Sequence, residues 1–279
     1  MIRLKKISYT YGNDVVALRD VDLIIRENEC IGIVGENGSG KTTFGKILGK
    51  LLLPSTGQII LEPSGRPRTP FLYVYQYPEY QIFQDMVEKE ILLSLDQKQM
   101  NEEEETKVMD FYLRLFGLAQ YRKSSPLELS YGLKKLLTIA VTMAMEPELI
   151  IIDEPTVGID REGQRRLDVA IWRRKKSKMA TVIISHDVEF ILKHSDRILF
   201  FENGGIIFDG NKIDFIKKLI ATRQNILEIP PATKIAKYIL GIDDIFFSIN
   251  DIVDRVILQI NEGKFIQSEK PSTIVKKDE

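Results

Sequence analysis

The chain has 279 residues, 44% of them hydrophobic, with 39 Lys plus Arg against 40 Asp plus Glu. That length and apolar content suit one large or two small globular domains with a sizeable core, while balanced charge argues against holding nucleic acid, which takes a basic excess. Cys30 is the only cysteine, which excludes an internal disulfide and fits a reducing compartment, and with two histidines it leaves too few ligands for a structural zinc site.

The N-terminus, MIRLKKISYTYG, has neither the apolar core nor the cleavage site of a signal peptide. IRLKKISYTY and ALRDVDLII alternate as strands do, with the turn-prone GND between them. CIGIVG is a continuous β-rich apolar run, the mark of a strand buried on both faces. A Gly-rich loop opening into a helix follows it. QIILE and FLYVYQ are further strands, separated by PSGRPRTP.

From about residue 78 to 145 the pattern turns helical. In NEEEETKVMDFYLRLFGL the spacing of Val108, Phe111, Tyr112, Leu115 and Phe116 predicts one apolar face, and Glu102 to Glu105 favour the helix start. Strands return at ELIIIDEP and ATVIISHD, with a helix between them, and DRILFFENGGIIFDG reads as a hairpin. This alternation predicts an α/β fold on a largely parallel sheet.

Beyond about Gly210 the pattern shifts. Pro230 and Pro231 break the chain, and ATKIAKYILG reads as a short helix. SINDIVDRVILQINEG predicts an amphipathic helix, with Ser248 and Asp251 as its capping box and an apolar face from Ile249 to Ile260. That face suits either its own domain or a second subunit. The last residues, SEKPSTIVKKDE, are expected to be disordered. No internal repeat is visible, no window reaches the ~18 apolar residues of a membrane-spanning helix, and the chain is expected to be soluble and cytoplasmic.

Chemistry concentrates in two stretches. Gly35 to Thr42, GENGSGKT, fits G-x-x-x-x-G-K-[ST] between a strand and a helix, the context that defines a P-loop. Its glycines let backbone N–H groups wrap phosphates, Lys41 would reach the β- and γ-phosphates, and Thr42 would ligate Mg²⁺. LIIIDEP ends a buried strand in Asp153, placing a carboxylate beside the metal, and Glu154 can polarise a water for attack on phosphorus. A guanine-binding alternative rests on NKID (Asn211 to Asp214) and D-x-x-G (Asp160 to Gly163). Asp160 does not end a buried strand, whereas Asp153 does, and NKID follows the Gly-rich turn FDG rather than an apolar strand that would present it to a base.

With these pieces placed, about the first 215 residues resemble an ABC-type ATPase. Gln76 in VYQYP resembles the family's Q-loop, and LSYGLKK its LSGGQ signature. VGID, ending in Asp160, resembles its D-loop, and His186 in ISHD its switch histidine. VYQYPEYQIF, with Gln81, AMEPELIIIDEPTVGID and the C-terminal segment are similar to energy-coupling factor (ECF) and cobalt-importer ATPases. The resemblance implies a cassette at 1–215 with a parallel-sheet core, an antiparallel β subdomain and a helical subdomain at about 78–145. It implies a C-terminal extension at 216–279 that could serve dimerisation.

The resemblance also implies roles. Adenine would stack on Tyr11, and ATP phosphates would sit on Gly35, Asn37, Gly38, Ser39, Gly40, Lys41, Thr42 and Thr43. Mg²⁺ would be held by Thr42, Gln76 and Asp153, and catalysis carried by Glu154, His186, Gln76 and Lys41. Two subunits would sandwich ATP head to tail, so that Ser130 and Gly132 serve the partner's ATP. LSYGLKK departs from the signature at Tyr131, which adds bulk and limits the backbone, and at Leu133, which removes a polar group. That departure leads to the expectation of a heterodimer with a second, consensus ATPase, bound to a transmembrane coupling protein and a substrate-binding membrane component on the inner face of the membrane. Such an importer carries vitamins or metal ions; the alternative is a non-transport ABC ATPase acting on DNA or ribosomes.

Overall fold

The structure, a computed structural model, describes residues 1–222 except 13, 62–70, 99 and 178, together with 232, 233, 252, 254, 255 and 257. In chain order the first elements are β1 (Ile2–Thr10), β2 (Val16–Ile25), β3 (Cys30–Gly35), α1 (Lys41–Leu48), β4 (Thr56–Leu61) and β5 (Phe71–Val74). A helical stretch follows, with α2 (Val87–Leu95), α3 (Glu102–Leu115) and α4 (Tyr131–Ala144). The chain then alternates through β6 (Leu149–Asp153), α5 (Arg161–Lys176), β7 (Ala180–Ile184) and α6 (Val188–His194), ending in β8 (Arg197–Glu202), β9 (Gly205–Gly210) and α7 (Lys212–Thr222).

The strands make two sheets. One is antiparallel, in the order β2-β1-β4; the other has six strands in the order β5-β6-β7-β3-β8-β9. In the larger sheet β5, β6, β7, β3 and β8 run parallel, and β9 returns antiparallel on β8. Every residue of CIGIVG, LIIID and ATVII is buried, as central parallel strands covered on both faces require. Phe44 and Ile47 of α1 pack into one core with Ile33, Ile151 and Ile184 of this sheet and with Leu4 of the antiparallel one. The loops after β3, β6 and β7 therefore emerge side by side at one sheet edge. This is the crevice outside strand C-termini where open α/β sheets bind ligands.

The buried face of α3 is not the one its spacing predicts: of the expected residues only Phe116 is buried, while Val108, Tyr112 and Leu115 are half-buried. α3 buries Met109 and Leu113, followed by Phe116, whereas Phe111 is 40% exposed. The guanidinium of Arg173 covers the Phe111 ring at 5.2 Å, so an exposed cation–π contact holds an aromatic that spacing alone assigned to the core. The start of α3 is capped by Asn101 and Glu104 in a reciprocal box.

Both guanine-like patterns are helix starts. Asp160 Oδ1 accepts from Gly163 N at 2.7 Å and caps α5. Asn211 Oδ1 accepts from Asp214 N at 3.0 Å at the start of α7. His194, which no motif claimed, is half-buried at the end of α6 with Nε2 2.7 Å from Asp168 Oδ1.

The chain divides into two compact units, Met1–Phe215 and Ile216–Glu279. The expected Pro230-Pro231 break, the ATKIAKYILG helix and the terminal tail lie outside the described residues, 232 and 233 apart. The amphipathic helix at 249–260 does too, apart from the helical residues 252, 254, 255 and 257. Among the described residues no helix is long and apolar enough to cross a membrane.

Candidate active site

The loop from Gly35 to Gly40 leads into α1 without a side-chain cap. The first N–H groups of the helix are therefore left for a ligand, and the helix dipole favours an anion there. Gly40 has φ +102°, and a Cβ on it would stand 2.5 Å from Ala17 O, so only glycine closes this turn. Asn37 and Gly38 are exposed at the loop's crest. Ser39 Oγ is buried with no hydrogen-bond partner, an orphan that a phosphate oxygen would satisfy. Lys41 Nζ donates to Gly35 O at 2.8 Å and Glu36 O at 2.7 Å. Burial lowers the Lys41 pKa, and Glu154, Asp153 and Glu36 oppose that shift. A partly desolvated ammonium is poised for phosphate oxygens. The residues fit a polyphosphate.

Thr42 Oγ1 donates to Asp153 Oδ2 at 3.1 Å, which joins the P-loop to the end of β6. One hydroxyl and one carboxylate suit Mg²⁺, which takes its remaining ligands from phosphate and water. Tyr11, 38% exposed, meets Thr43 Oγ1 through its hydroxyl at 3.0 Å and makes a T-shaped contact with the Tyr9 ring at 4.9 Å. Its hydroxyl thus ties it to the first turn of α1.

Glu154 follows Asp153 with φ +49°, and its N–H donates to Ile184 O at 2.8 Å. This kink turns its carboxylate toward the loop after β7. There Oε1 accepts from His186 N at 3.1 Å and Oε2 from Ser185 Oγ at 3.0 Å. His186 Nδ1 lies 2.9 Å from the same Oε2, with its side chain 69% exposed. When Nδ1 carries the proton it orients the carboxylate and leaves Nε2 as the free nitrogen. Ser185 is fully buried and also accepts from Asp187 N at 3.1 Å. Ser185→Ala is expected to slow ATP hydrolysis about tenfold to a hundredfold, the worth of one hydrogen bond to a charged carboxylate, with nucleotide affinity unchanged in a titration.

Burial raises the Asp153 carboxyl pKa, against hydrogen bonds from Tyr73 and Thr42 that lower it. Tyr73 Oη donates to Asp153 Oδ2 at 2.6 Å. Sequence reading misses this tyrosine, which resembles any strand aromatic. Gln81, noted for its place in the Q-loop pattern, braces β5. Its Oε1 accepts from Tyr75 N at 2.9 Å and its Nε2 donates to Tyr73 O at 3.0 Å. β5 is an edge strand, and the carboxamide fills the ladder positions a neighbour would take.

The signature region is where the structure adds most. Ser130 is the N-cap of α4 and Tyr131 its first helical residue, so the substituted position needs no positive φ and tyrosine imposes no backbone strain there. Tyr131 Oη donates to Gln76 O at 3.0 Å. A Cβ on Gly132 would stand 2.4 Å from Gly158 O, and one on Gly158 would stand 2.4 Å from Tyr131 Cδ1. The first turn of α4 is thus pressed against the VGID loop. Lys135, also missed by sequence reading, is fully buried. Its Nζ donates to Tyr75 O at 2.8 Å, Gln76 O at 2.9 Å and Asp153 O at 2.9 Å. Burial lowers its pKa to about 8, and Asp153, Glu154 and Glu79 resist the shift.

An uncapped Gly-rich helix start, a buried lysine, a hydroxyl–carboxylate pair and a histidine-oriented glutamate define a P-loop nucleotide hydrolase. The family model for ABC transporters matches residues 18–157. The ATP-binding protein EcfA2 of an energy-coupling factor transporter from Clostridium perfringens is 32% identical, over 78% of this chain and 81% of that protein. EcfA1 from Caldanaerobacter subterraneus is 30% identical, over 85% and 90%. Among solved structures, a dimeric post-hydrolysis ATP-binding cassette bound to ADP and Pi superposes with a TM-score of 0.69 at 25% identity, covering 76% of this chain and 98% of that one. CbiO1 from Clostridium perfringens, part of the ABC transporter complex CbiONQ, gives a TM-score of 0.65 at 25% identity, covering 79% and 94%. The chain belongs to the ABC transporter family and is an ATP-binding ATPase of it, with relatives among the energy-coupling factor ATPases.

Proposed function

We propose that the chain is one of two unlike ATPase subunits energising an ECF-type importer of vitamins or metal ions. It would sit on the inner face of the membrane against a transmembrane coupling protein and a substrate-binding membrane component. The observation that carries this reading is a contrast within the chain. Hydrogen bonds join Glu154, Ser185 and His186 and hold Lys41 on the P-loop carbonyls, while the signature carries Tyr131 and Leu133 in place of glycine and glutamine. The names EcfA1 and EcfA2 among the relatives support a pair of related ATPases.

In this reading Tyr11 stacks on adenine, and the residues from Gly35 to Thr43 hold the phosphates. Thr42, Gln76 and Asp153 hold Mg²⁺, which supplies neutralisation of phosphate charge when bound. Glu154 takes a proton from the attacking water, and His186, held on Glu154 through Nδ1, donates Nε2–H to the γ-phosphate when both ring nitrogens carry protons. Ser130, Gly132 and the start of α4 face the partner's ATP, with Asp160 beside them in the D-loop. The unit at 216–279 contributes to holding the two subunits together.

ATP turnover by the purified chain over a range of protein concentrations tests the reading. The expected result is nucleotide binding with little turnover alone, and turnover on adding a second ATPase that bears LSGGQ. Turnover alone that rises faster than linearly with concentration would make the chain a homodimer. Leu133→Gln, which spares Tyr131, is expected to raise hydrolysis in the partner's site; an unchanged total rate would remove the asymmetry.

A further inference from the structure

The carbonyl of Gln76 is held by two donors from one helix. Tyr131 Oη reaches it at 3.0 Å and Lys135 Nζ at 2.9 Å, which occupies both of its lone pairs. Lys135 spends its other two donors on Tyr75 O and Asp153 O. A fully buried ammonium with all three protons on backbone carbonyls is a costly device unless its geometry is needed. It spans three segments that sequence keeps far apart: the end of β5, the start of α4 and the end of β6. The ring of Tyr131 adds a fourth by lying against Gly158.

We propose that Tyr131 and Lys135 are positioning residues that fix the Gln76 peptide to α4 and to the end of β6, and so aim the Gln76 side chain at the metal beside Asp153. Tyr131, at the site of a missing glycine, then has a task in its own subunit. The helix whose start serves one ATP site would hold a metal ligand of the other. The inference rests on the metal role proposed for Gln76, and it goes further in assigning the residues through which α4 controls that ligand.

Two physical consequences separate a clamp from mere packing. Removing the Tyr131 hydroxyl leaves the ring on Gly158 and the Lys135 bonds in place, so the fold should survive. Its effect on turnover should pass through Gln76 alone. A double-mutant cycle reads this directly.

The experiment compares wild type, Tyr131→Phe, Gln76→Ala and the double variant in the assembled ATPase dimer, measuring turnover against Mg²⁺ and ATP. Tyr131→Phe is expected to lower kcat about threefold to tenfold, the range one hydrogen bond supplies. It should raise the Mg²⁺ requirement and leave KM for ATP within about twofold. In the Gln76→Ala background the same change is expected to do nothing further. Equal losses in both backgrounds, or no loss in either, overturn the clamp. Wild-type turnover by Gln76→Ala would instead overturn the metal role of Gln76, and the clamp with it. Lys135→Met should be slower still; if that variant fails to fold, Tyr131→Phe decides the matter alone.

Discussion

Replacing Glu154 by glutamine is expected to lower ATP turnover about 10²- to 10⁴-fold, the range a positioned general base contributes, and to leave ATP binding intact. The size follows from how the carboxylate is held. Its oxygens accept from Ser185 Oγ, from His186 N, and face His186 Nδ1 at 2.9 Å. A glutamine keeps one acceptor and the same shape, and Ser185, which can also accept, tolerates an amide NH₂. The backbone at residue 154, with φ +49°, suits neither residue better than the other. Stability and nucleotide affinity should therefore hold while the chemistry fails. Retained turnover would mean that the water is activated by another group, and the histidine–glutamate pair would then be structural. Turnover lost together with ATP affinity would mean that Glu154 supports the P-loop rather than the water.

Glu154 is legible in the sequence while Ser185 and Lys135 are not, and the difference lies in how far apart the interacting groups stand along the chain. GENGSGKT and LIIIDE are contiguous, and their chemistry follows from local geometry: a glycine turn at a helix start, and a carboxylate at a strand end. The parallel sheet is legible for the same reason, since CIGIVG, LIIID and ATVII are unbroken apolar runs. Lys135 bonds to backbone carbonyls 59 and 60 residues away. Every residue has such a carbonyl, so no side-chain pattern marks the partner. Tyr73 reaches Asp153 across 80 residues and looks like any strand aromatic. The α3 pattern misleads by one face because Phe111 counts as apolar, though Arg173 holds it at the surface. Tyr131 shows as a departure, but its meaning does not. The letter says that a glycine is missing; the fold supplies the hydroxyl's partner at Gln76.

Gly132 carries the second large effect, and it tests whether the remaining glycine of LSYGLKK serves phosphate or packing. A Cβ at this position would stand 2.4 Å from Gly158 O, far inside contact distance. That neighbour is backbone, so it cannot swing aside as a long side chain would. Gly132→Ala should push the VGID loop away from α4, at a cost of about 1–3 kcal/mol for an overpacked contact. The same displacement would shift Tyr131, whose ring lies on Gly158, and loosen its hold on Gln76. Turnover of the assembled dimer is expected to fall about tenfold to a hundredfold, with the melting temperature lowered as well. The discriminating comparison is with Ser130→Ala, which removes the cap on Leu133 N and leaves the Gly132–Gly158 approach untouched. If Ser130→Ala costs more activity and Gly132→Ala costs only stability, the motif acts mainly through its phosphate ligands. If Gly132→Ala slows turnover in this chain's own site as well as its partner's, the first turn of α4 couples the two sites through the loops packed beneath it.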